Sequence, residues 1–198
     1  MYNISKSFFD ITLSLILLVI FSPIIIFISF IILAIDGWPI FFFQKRGGFN
    51  QKAFYIIKFR TMIAGDMNKL SLNDDKKRTT RFGLFLRKYS LDELPSLINV
   101  LKRDMSFVGP RPLLYEYKSL YNKEQKLRFT VKPGITGWSQ INGRNNLTWE
   151  EKFNLDLWYI KNANTVLDIK IILKTIIKVF QNKDVNFDGF DKDFKFRG

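Results

Sequence analysis

Residues 11–35 read ITLSLILLVIFSPIIIFISFIILAI and contain no charged side chain. Asp10 and Asp36 bound this run. As one helix it would span ~37 Å, which exceeds the ~30 Å hydrocarbon core of a bilayer. The run is too long for the apolar part of a cleavable signal peptide, and no small-residue cleavage pattern follows it. The sequence therefore predicts a membrane anchor near the amino end of the chain.

The pair Ser22-Pro23 lies at the middle of this run. Proline removes one helical N–H and clashes with the preceding turn, so it kinks or ends a helix. Each half alone would reach only ~18 Å, about half of the hydrocarbon core. Two structures fit this pattern: a spanning helix kinked at Pro23, or a re-entrant helix pair that enters one leaflet and returns to the same face.

The 198-residue chain contains neither cysteine nor histidine. This composition excludes disulfides, thiolate nucleophiles, Ser-His-Asp triads and His-ligated metals. Nucleophilic and acid–base steps must use carboxylates, lysines, tyrosines or hydroxyls, and a bound metal would be a hard cation such as Mg²⁺. The net charge of +13 suits an anionic partner, either a phosphorylated substrate, a membrane surface or nucleic acid.

Beyond the apolar run, the patterns indicate an α+β domain made mainly of helices. Residues 38–62 hold two aromatic and β-branched stretches separated by KRGGFN (residues 45–50), which predicts a β-hairpin. Thr148 and Glu151 have the spacing of a capping box and predict the start of a helix. Residues 165–182 carry an apolar stripe beside a lysine face. That stripe fits either a core-facing helix or a helix lying on a membrane surface.

Two adjacent carboxylates, Asp92-Glu93, follow the basic pair Arg87-Lys88. An ionised carboxylate beside basic side chains can act as a nucleophile and as a Mg²⁺ ligand, so Asp92 is the candidate nucleophile. Ser90 and Glu93 also have capping-box spacing. Capping of a helix is therefore the structural alternative for Glu93.

Several basic and acidic residues are candidates for substrate contact. Arg111 lies between two prolines, whose rigidity lowers the entropy cost of holding its guanidinium against a phosphate. Arg111 has two interpretations, a phosphate contact or an ordinary surface residue. The same two interpretations apply to Lys58 and Arg144. Asp156 lies beside an apolar stripe and should face the protein with an arginine as its partner, whereas Asp168 fits a helix cap.

Taken in order, these motifs resemble the monotopic phosphoglycosyl transferases, also called bacterial sugar transferases. The motifs are Ser22-Pro23, KFRTM (58–62), RKYSLDELP (87–95), DMSFVGPRP (104–112), KPGITGW (132–138), NGR (142–144), Asp156 and Asp168. The resemblance extends to about Asn182. It implies a minimal standalone member, without the additional transmembrane bundle of larger relatives. It implies a re-entrant anchor broken at Ser22-Pro23 (1–36), a catalytic domain with amphipathic helices at the membrane interface (37–182) and a polar tail (183–198).

The resemblance also implies a reaction. Asp92 would attack the β-phosphate of a UDP-sugar, release UMP and hold the sugar phosphate until polyprenol (undecaprenyl) phosphate accepts it. Glu93 would join Asp92 in binding Mg²⁺ or would assist the acceptor. The residues expected to contact the substrates are Lys58, Arg87, Arg111, Arg144, Asp156 and Asp168, with a structural role as the alternative for the two aspartates.

The same resemblance places the protein on the cytoplasmic face of the bacterial inner membrane, at the start of glycan assembly. Membrane lipids are expected partners and nucleic acid is not; a second copy of the chain or other enzymes of the glycan pathway remain open as protein partners. The residues do not identify the sugar. Two other interpretations explain the charge, a catalytically silent membrane scaffold and a basic nucleic-acid-binding membrane protein. Neither gives a reason for the intact Asp92-Glu93 pair and the ordered motifs around it.

Overall fold

The computed structural model describes residues 2–63, 78–143, 146–181 and Phe196. Within these residues the chain is mainly helical and has two small two-stranded sheets, which agrees with the predicted α+β class. The α-helices are α1 (Tyr2–Asp36), α2 (Arg81–Lys88), α3 (Leu97–Leu101), α4 (Trp138–Ile141), α5 (Trp149–Asn162) and α6 (Thr165–Gln181). The strands are β1 (Phe41–Gly47), β2 (Ala53–Phe59), β3 (Ser106–Val108) and β4 (Gly134–Thr136). Short 3₁₀ helices span Phe49–Gln51, Leu91–Ser96, Tyr115–Ser119 and Gln125–Thr130.

Helix α1 contains the whole charge-free run and is long and apolar enough to cross a membrane. The predicted interruption at Ser22-Pro23 is not observed, because the helix continues through Pro23. The Ser22 hydroxyl donates a hydrogen bond to the Val19 carbonyl at 2.8 Å. This is the carbonyl that an N–H at position 23 would have reached, so a local side chain supplies a donor where proline removed one.

Both halves of α1 pack on the same folded body. In the first half, Leu17 packs against the core cluster that contains Met105. In the second half, Ile32 has no exposed surface and belongs to a cluster with Phe59 of β2. The outward face of α1 remains apolar and exposed along its length.

Polar contacts also hold both ends of the charge-free run against this body. Asp10 is buried, and its Oδ1 accepts a hydrogen bond from the backbone N–H of Phe107 at 3.2 Å. At the other end, the Arg60 guanidinium donates to the backbone carbonyl of Asp36 at 2.6 Å, which satisfies a carbonyl at the helix C-terminus. The two ends of the apolar run therefore contact one and the same domain.

The predicted hairpin is confirmed. Strands β1 and β2 pair antiparallel, with Phe41 opposite Phe59 and Gly47 opposite Ala53. The sequence predicts that the first strand ends near Phe43 and that the turn covers residues 45–50. In the structure, β1 continues to Gly47. The turn is therefore confined to the residues between Gly47 and Ala53.

Side chains from α3 and the turn before it complete the free edge of β2. Asn99 Oδ1 accepts a hydrogen bond from the Ile57 N–H at 3.0 Å, and Ser96 Oγ donates to the Ile57 carbonyl at 2.8 Å. Buried backbone groups need partners, so these bonds hold the 3₁₀ helix Leu91–Ser96 against the strand. The contact places the carboxylate pair beside Lys58 of β2.

A parallel pair of three-residue strands was not predicted. Ser106 of β3 lies opposite Gly134 of β4, and Val108 lies opposite Thr136. A Cβ at Gly134 would come within 2.2 Å of the Gly109 backbone nitrogen, so only glycine permits this approach. The glycines and prolines that indicated irregular loops thus allow two backbone segments to pair closely.

The two C-terminal helices were both predicted. Thr148 and Glu151 form the expected capping box at the start of α5. In α6, Leu167 and Ile171 enter the core, but most of the apolar stripe is exposed, so the core-facing alternative does not account for it. The exposed apolar residues of α6 are Val166, Ile169, Leu173, Ile176, Ile177 and Phe180.

The predicted tail, residues 183–198, lies outside the described residues except for Phe196. That side chain is buried in an aromatic cluster with Tyr121 and Phe153. Arg128 borders this cluster, because its guanidinium lies over the rings of Tyr121 and Phe153.

Candidate active site

The carboxylates of Asp92 and Glu93 lie in the first turn of the 3₁₀ helix Leu91–Ser96. Ser90 precedes them in the left-handed backbone region, with φ of 55°, and its side chain makes no capping bond. The capping box suggested by the Ser90 and Glu93 spacing is therefore absent. A non-glycine residue in this region costs free energy, and such residues occur most often at functional sites.

Glu93 is instead held by two cations from other parts of the chain. Lys58 Nζ lies 2.6 Å from Glu93 Oε1, and an Arg111 guanidinium nitrogen lies 3.2 Å from the same oxygen. The side chains of Lys58 and Glu93 are less than one-fifth exposed, whereas that of Arg111 is 43% exposed. Arg111 therefore faces solvent and is accessible to a ligand phosphate while it contacts the carboxylate.

Asp92 is the more buried member of the pair, with 9% of its surface exposed. Burial and the neighbouring Glu93 carboxylate raise the pKa of Asp92, and the charges of Lys58, Arg87 and Arg111 offset part of that rise. Among the residues that the structure describes, none donates a hydrogen bond to the Asp92 carboxylate. This carboxylate is therefore available to a cation or to an electrophilic phosphorus atom.

The Asp92-Glu93 pair also fits a magnesium ion by its donor chemistry. Mg²⁺ in phosphoryl-transfer sites is commonly held by one or two carboxylates, with substrate phosphates and water completing its shell. Asp92 provides a buried carboxylate without a hydrogen-bond donor, and Glu93 lies next to it in the same turn. No group of three or more acidic, histidine or cysteine side chains gathers anywhere in the described residues, so substrate oxygens would have to supply further ligands.

Arg87 and Arg111 reach the pair from two different elements. Arg87 lies in the last turn of α2, where its Nε donates to Thr61 Oγ1 at 2.9 Å. The backbone carbonyl of Arg111 accepts a hydrogen bond from the Arg128 guanidinium at 2.7 Å. The predicted grouping of Lys58, Arg87 and Arg111 around Asp92 is thus present in the fold.

Asp156 is not a member of this group but is connected to it through Arg128. It is 3% exposed, and its two carboxylate oxygens accept hydrogen bonds from Ser139 Oγ at 2.8 Å and Arg128 at 2.9 Å. Asp156 thus has an arginine partner as expected, although the sequence did not single out Arg128 for this role. Through Arg128, Asp156 supports the backbone at Arg111.

Asp168 lies near the start of α6 and contacts the amino end of α1. Its carboxylate accepts hydrogen bonds from Tyr159 Oη at 2.7 Å and Tyr2 Oη at 2.8 Å, and it pairs with Lys6 at 2.5 Å. The helix cap predicted for Asp168 is provided by Asn164, whose side chain accepts from the Leu167 N–H. Asp168 therefore joins the membrane helix to the domain. Arg144 lies outside the described residues.

The sequence did not single out Arg46, which lines the same small cavity as Lys58, Glu93 and Arg111. Arg46 donates to the Pro112 carbonyl at 3.1 Å. Burial and the nearby Arg111 charge lower the pKa of Arg46 to about 10, so it remains a cation at neutral pH. The sequence pattern places Arg46 in the hairpin turn, whereas in the structure β1 reaches Gly47 and so includes Arg46.

Four cations thus surround two carboxylates at the junction of β1, β2, α2 and the Pro-Arg-Pro loop. The excess positive charge suits a ligand with several phosphate charges. Asp92 supplies an oxygen nucleophile at the centre, and the cations can stabilise charge that develops on phosphate oxygens. The arrangement has the parts required for phosphoryl transfer through a carboxylate.

Comparison with known proteins gives consistent matches across the chain. The model of the bacterial sugar transferase family matches residues 1–182. A Bacillus subtilis protein described as an uncharacterized sugar transferase is 48% identical over 182 residues, which cover 92% of this chain and 90% of that protein. The UDP-glucose:undecaprenyl-phosphate glucose-1-phosphate transferase of Xanthomonas campestris is 38% identical over 92% of this chain and 40% of that protein.

The undecaprenyl-phosphate galactose phosphotransferase of Salmonella typhimurium is 37% identical over 90% of this chain and 41% of that protein. The chain thus spans most of the Bacillus relative and about two-fifths of each of the two longer ones. The family match covers both the apolar helix and the domain that carries Asp92 and Glu93. The chain is therefore a transferase that belongs to the bacterial sugar transferase family.

Proposed function

We propose that the protein transfers a sugar 1-phosphate from a UDP-sugar to polyprenyl phosphate and releases UMP. One observation carries this proposal: Asp92 is a buried carboxylate without a hydrogen-bond donor among the described residues, and it is surrounded by the charges of Lys58, Arg87 and Arg111. A carboxylate in such a place can attack a phosphorus atom whose oxygens the cations stabilise. The names of the Xanthomonas and Salmonella relatives support the choice of donor and acceptor.

In the first step, a carboxylate oxygen of Asp92 attacks the β-phosphorus of the UDP-sugar. The bond between that phosphorus and the oxygen bridging the two phosphates breaks, and UMP leaves with the electron pair. The sugar phosphate is then joined to Asp92 as a mixed anhydride. In the second step, a phosphate oxygen of the polyprenyl phosphate attacks the same phosphorus. The polyprenyl diphosphate sugar leaves and the Asp92 carboxylate is restored.

The residues around Asp92 have distinct tasks in this scheme. Lys58 and Arg111 hold Glu93 in place through its Oε1, and Arg111, the more exposed of the two, also presents its guanidinium to the donor phosphates. Arg87 contributes positive charge from the end of α2. Asp92 and Glu93 would hold Mg²⁺, which when bound neutralises charge on the transferred phosphate.

The membrane arrangement that we propose is monotopic, with both ends of α1 on one face. Asp10 and Asp36, at the two ends of the apolar run, both contact the catalytic domain, which supports a helix that enters and leaves the same leaflet rather than one that spans the bilayer. Proline at position 23 favours the required bend. The excess of lysine and arginine favours the cytoplasmic face of the bacterial inner membrane.

Helix α6 supplies a second contact with the membrane in this arrangement. Its exposed apolar stripe lies beside Lys170, Lys174 and Lys178. Such a helix lies in the interface with its apolar side in the acyl region and its lysines at the headgroups. Each buried CH₂ of a polyprenyl tail contributes about 0.8 kcal/mol, so the acceptor stays in the bilayer and the enzyme must bind there.

A donor panel tests the overall reaction. Purified protein in detergent would be incubated with undecaprenyl phosphate, Mg²⁺ and one of several UDP-sugars, and both UMP and the lipid-linked product would be measured. We expect equal amounts of UMP and product with at least one donor, and neither when EDTA replaces Mg²⁺. Release of UDP instead of UMP would contradict the proposal, because it would mean that the sugar moves without its phosphate.

A further inference from the structure

A second, larger cavity also has Glu93 in its wall. Its volume is about 160 Å³, and most of its lining is apolar. Its apolar surface comes from residues that include Leu94, Leu97, Ile135, Ile141 and Val179, and its polar lining includes Glu93 and Lys178. Leu97 and Ile141 also belong to the buried core, so this wall of the cavity is part of the fixed framework of the domain.

This cavity and the small cationic cavity share two lining residues, Glu93 and Ile135. The small cavity is also lined by Arg46, Lys58 and Arg111, whereas most of the surface that lines the larger cavity is apolar. Charged groups favour the first environment and hydrocarbon favours the second. A molecule in which a phosphate adjoins a hydrocarbon chain matches both cavities together.

The wall opposite the carboxylate belongs to α6. Thr175, Lys178 and Val179 line the cavity from this helix, whereas Ile176 and Ile177 on the same turn are exposed. The cavity therefore lies between Glu93 and the apolar face that we place at the membrane. A hydrocarbon chain that leaves the bilayer along α6 would enter it first.

We propose that this cavity binds the first isoprene unit of the polyprenyl phosphate acceptor and so directs the acceptor phosphate towards Asp92. The assignment rests on the proposed function for the identity of the acceptor. Its size is suitable, since dry apolar cavities of about 150 Å³ bind benzene, a group close in size to a five-carbon isoprene unit. The apolar lining selects the chain, and the cations beyond Glu93 receive its phosphate.

The cavity also contains an acceptor atom that a different substrate could use. Gln140 lines the cavity, and its Oε1 is buried without a hydrogen-bond partner in the described part of the chain. A uracil N–H or a sugar hydroxyl would satisfy this oxygen, so the donor nucleotide is the competing occupant. The experiment must therefore separate the acceptor from the donor.

A substitution that fills the cavity can distinguish binding of the acceptor from binding of the donor. Val179→Phe introduces a larger side chain at a half-buried lining position, and Gln181→Phe introduces the same side chain at an exposed position of the same helix outside the cavity. We expect Val179→Phe to raise the KM for undecaprenyl phosphate at least ~10-fold, because close-packed interiors do not accommodate added volume. The KM for the UDP-sugar should stay within ~2-fold of the unmodified protein, and Gln181→Phe should leave both constants unchanged. A rise in the KM for the UDP-sugar with no change for the acceptor would overturn the proposal.

A binding measurement keeps this test independent of turnover. An undecaprenyl phosphate analogue with a diazirine on its first isoprene unit would be photolysed with the protein in nanodiscs, without UDP-sugar. We expect crosslinks in residues 135–141 and 173–181, lost in Val179→Phe and retained in Gln181→Phe. Crosslinks elsewhere, or crosslinks that Val179→Phe leaves unchanged, would contradict the cavity assignment. Correct crosslinks together with no transfer from any UDP-sugar would contradict the proposed function and still support the lipid-binding cavity.

Discussion

Lys58 and Glu93 form an ion pair in which Lys58 Nζ lies 2.6 Å from Glu93 Oε1, with both side chains less than one-fifth exposed. The pair joins strand β2 to the turn that carries Asp92. The side chains of Ser96, in the same turn, and Asn99, in α3, hydrogen-bond to the backbone of Ile57 in β2. The position of the carboxylates relative to the surrounding cations therefore depends on how β2 and this turn are held together.

Removal of the Lys58 charge should impair catalysis more than stability. Lys58→Met keeps the length of the side chain but removes the charged partner of Glu93. We expect kcat/KM for the UDP-sugar to fall roughly 10–100-fold, the kinetic equivalent of about 1.5–3 kcal/mol for a charge-assisted hydrogen bond. Lys52→Met, at an exposed position on the same hairpin, is the matched control. Equal kinetics in the two variants would show that the Lys58–Glu93 pair has no part in the reaction.

The contribution of Arg111 to activity should depend on its guanidinium group and not only on its positive charge. Arg111→Lys retains a cation between the two prolines but loses the planar fork that can contact Glu93 and a phosphate together. We expect kcat/KM to fall at least ~10-fold, or ~1.4 kcal/mol. Arg81→Lys, at an exposed position of α2, should have no effect. If Arg111→Lys retained full activity, Arg111 would be an ordinary surface residue.

Asp156 should act through Arg128 and not by contact with substrate. Asp156→Asn leaves the buried Arg128 guanidinium without its ionic partner, and breaking such a pair typically costs about 3–5 kcal/mol. We expect a lower denaturation midpoint in detergent, with loss of activity that follows the loss of folded protein. Glu150→Gln, on the exposed face of the same helix, is the control. A variant of normal stability with an increased KM for the UDP-sugar would instead place Asp156 in the substrate site.

The topology of α1 can be tested directly because the chain has no cysteine. Single cysteines would be introduced for Ser5, near the start of α1, and for Lys45, in β1. In spheroplasts, a membrane-impermeant thiol reagent should label neither site until the cells are lysed, since both ends of α1 contact the same domain. Labelling of the Ser5 position in intact spheroplasts would establish a spanning helix and contradict the monotopic arrangement.

Local signals in the sequence predicted much of the fold. The capping box at Thr148 and Glu151, the hairpin and the apolar helix all depend on residues close to one another in the chain. At Ser22-Pro23 the helix is not interrupted, because a serine hydroxyl takes over the carbonyl that proline leaves without a donor, and the re-entrant arrangement stays a proposal. Reasoning from local signals failed at Ser90, whose backbone enters the left-handed region and so cannot begin a capped helix.

Only some members of the candidate site were predicted from the sequence. Lys58, Arg87 and Arg111 were grouped around Asp92 because of the family resemblance, and they do lie together. Arg128 was not identified, because its partner Asp156 is 28 residues away and only the folded chain brings them together. The apolar cavity beside Glu93 was not foreseen either, since its walls come from four separate segments.

The central claim is that Asp92 forms a covalent bond to the sugar phosphate. It is tested most directly by intact-mass measurement after the enzyme is incubated with Mg²⁺ and its UDP-sugar, without polyprenyl phosphate. We expect release of UMP and a mass increase of one sugar phosphate, which peptide mapping should place on Asp92. Asp92→Asn should give neither, because an amide is a poor nucleophile and a poor Mg²⁺ ligand. With a donor that the complete reaction is known to use, an unmodified mass and no UMP until acceptor is added would show direct attack by the acceptor and contradict the covalent mechanism.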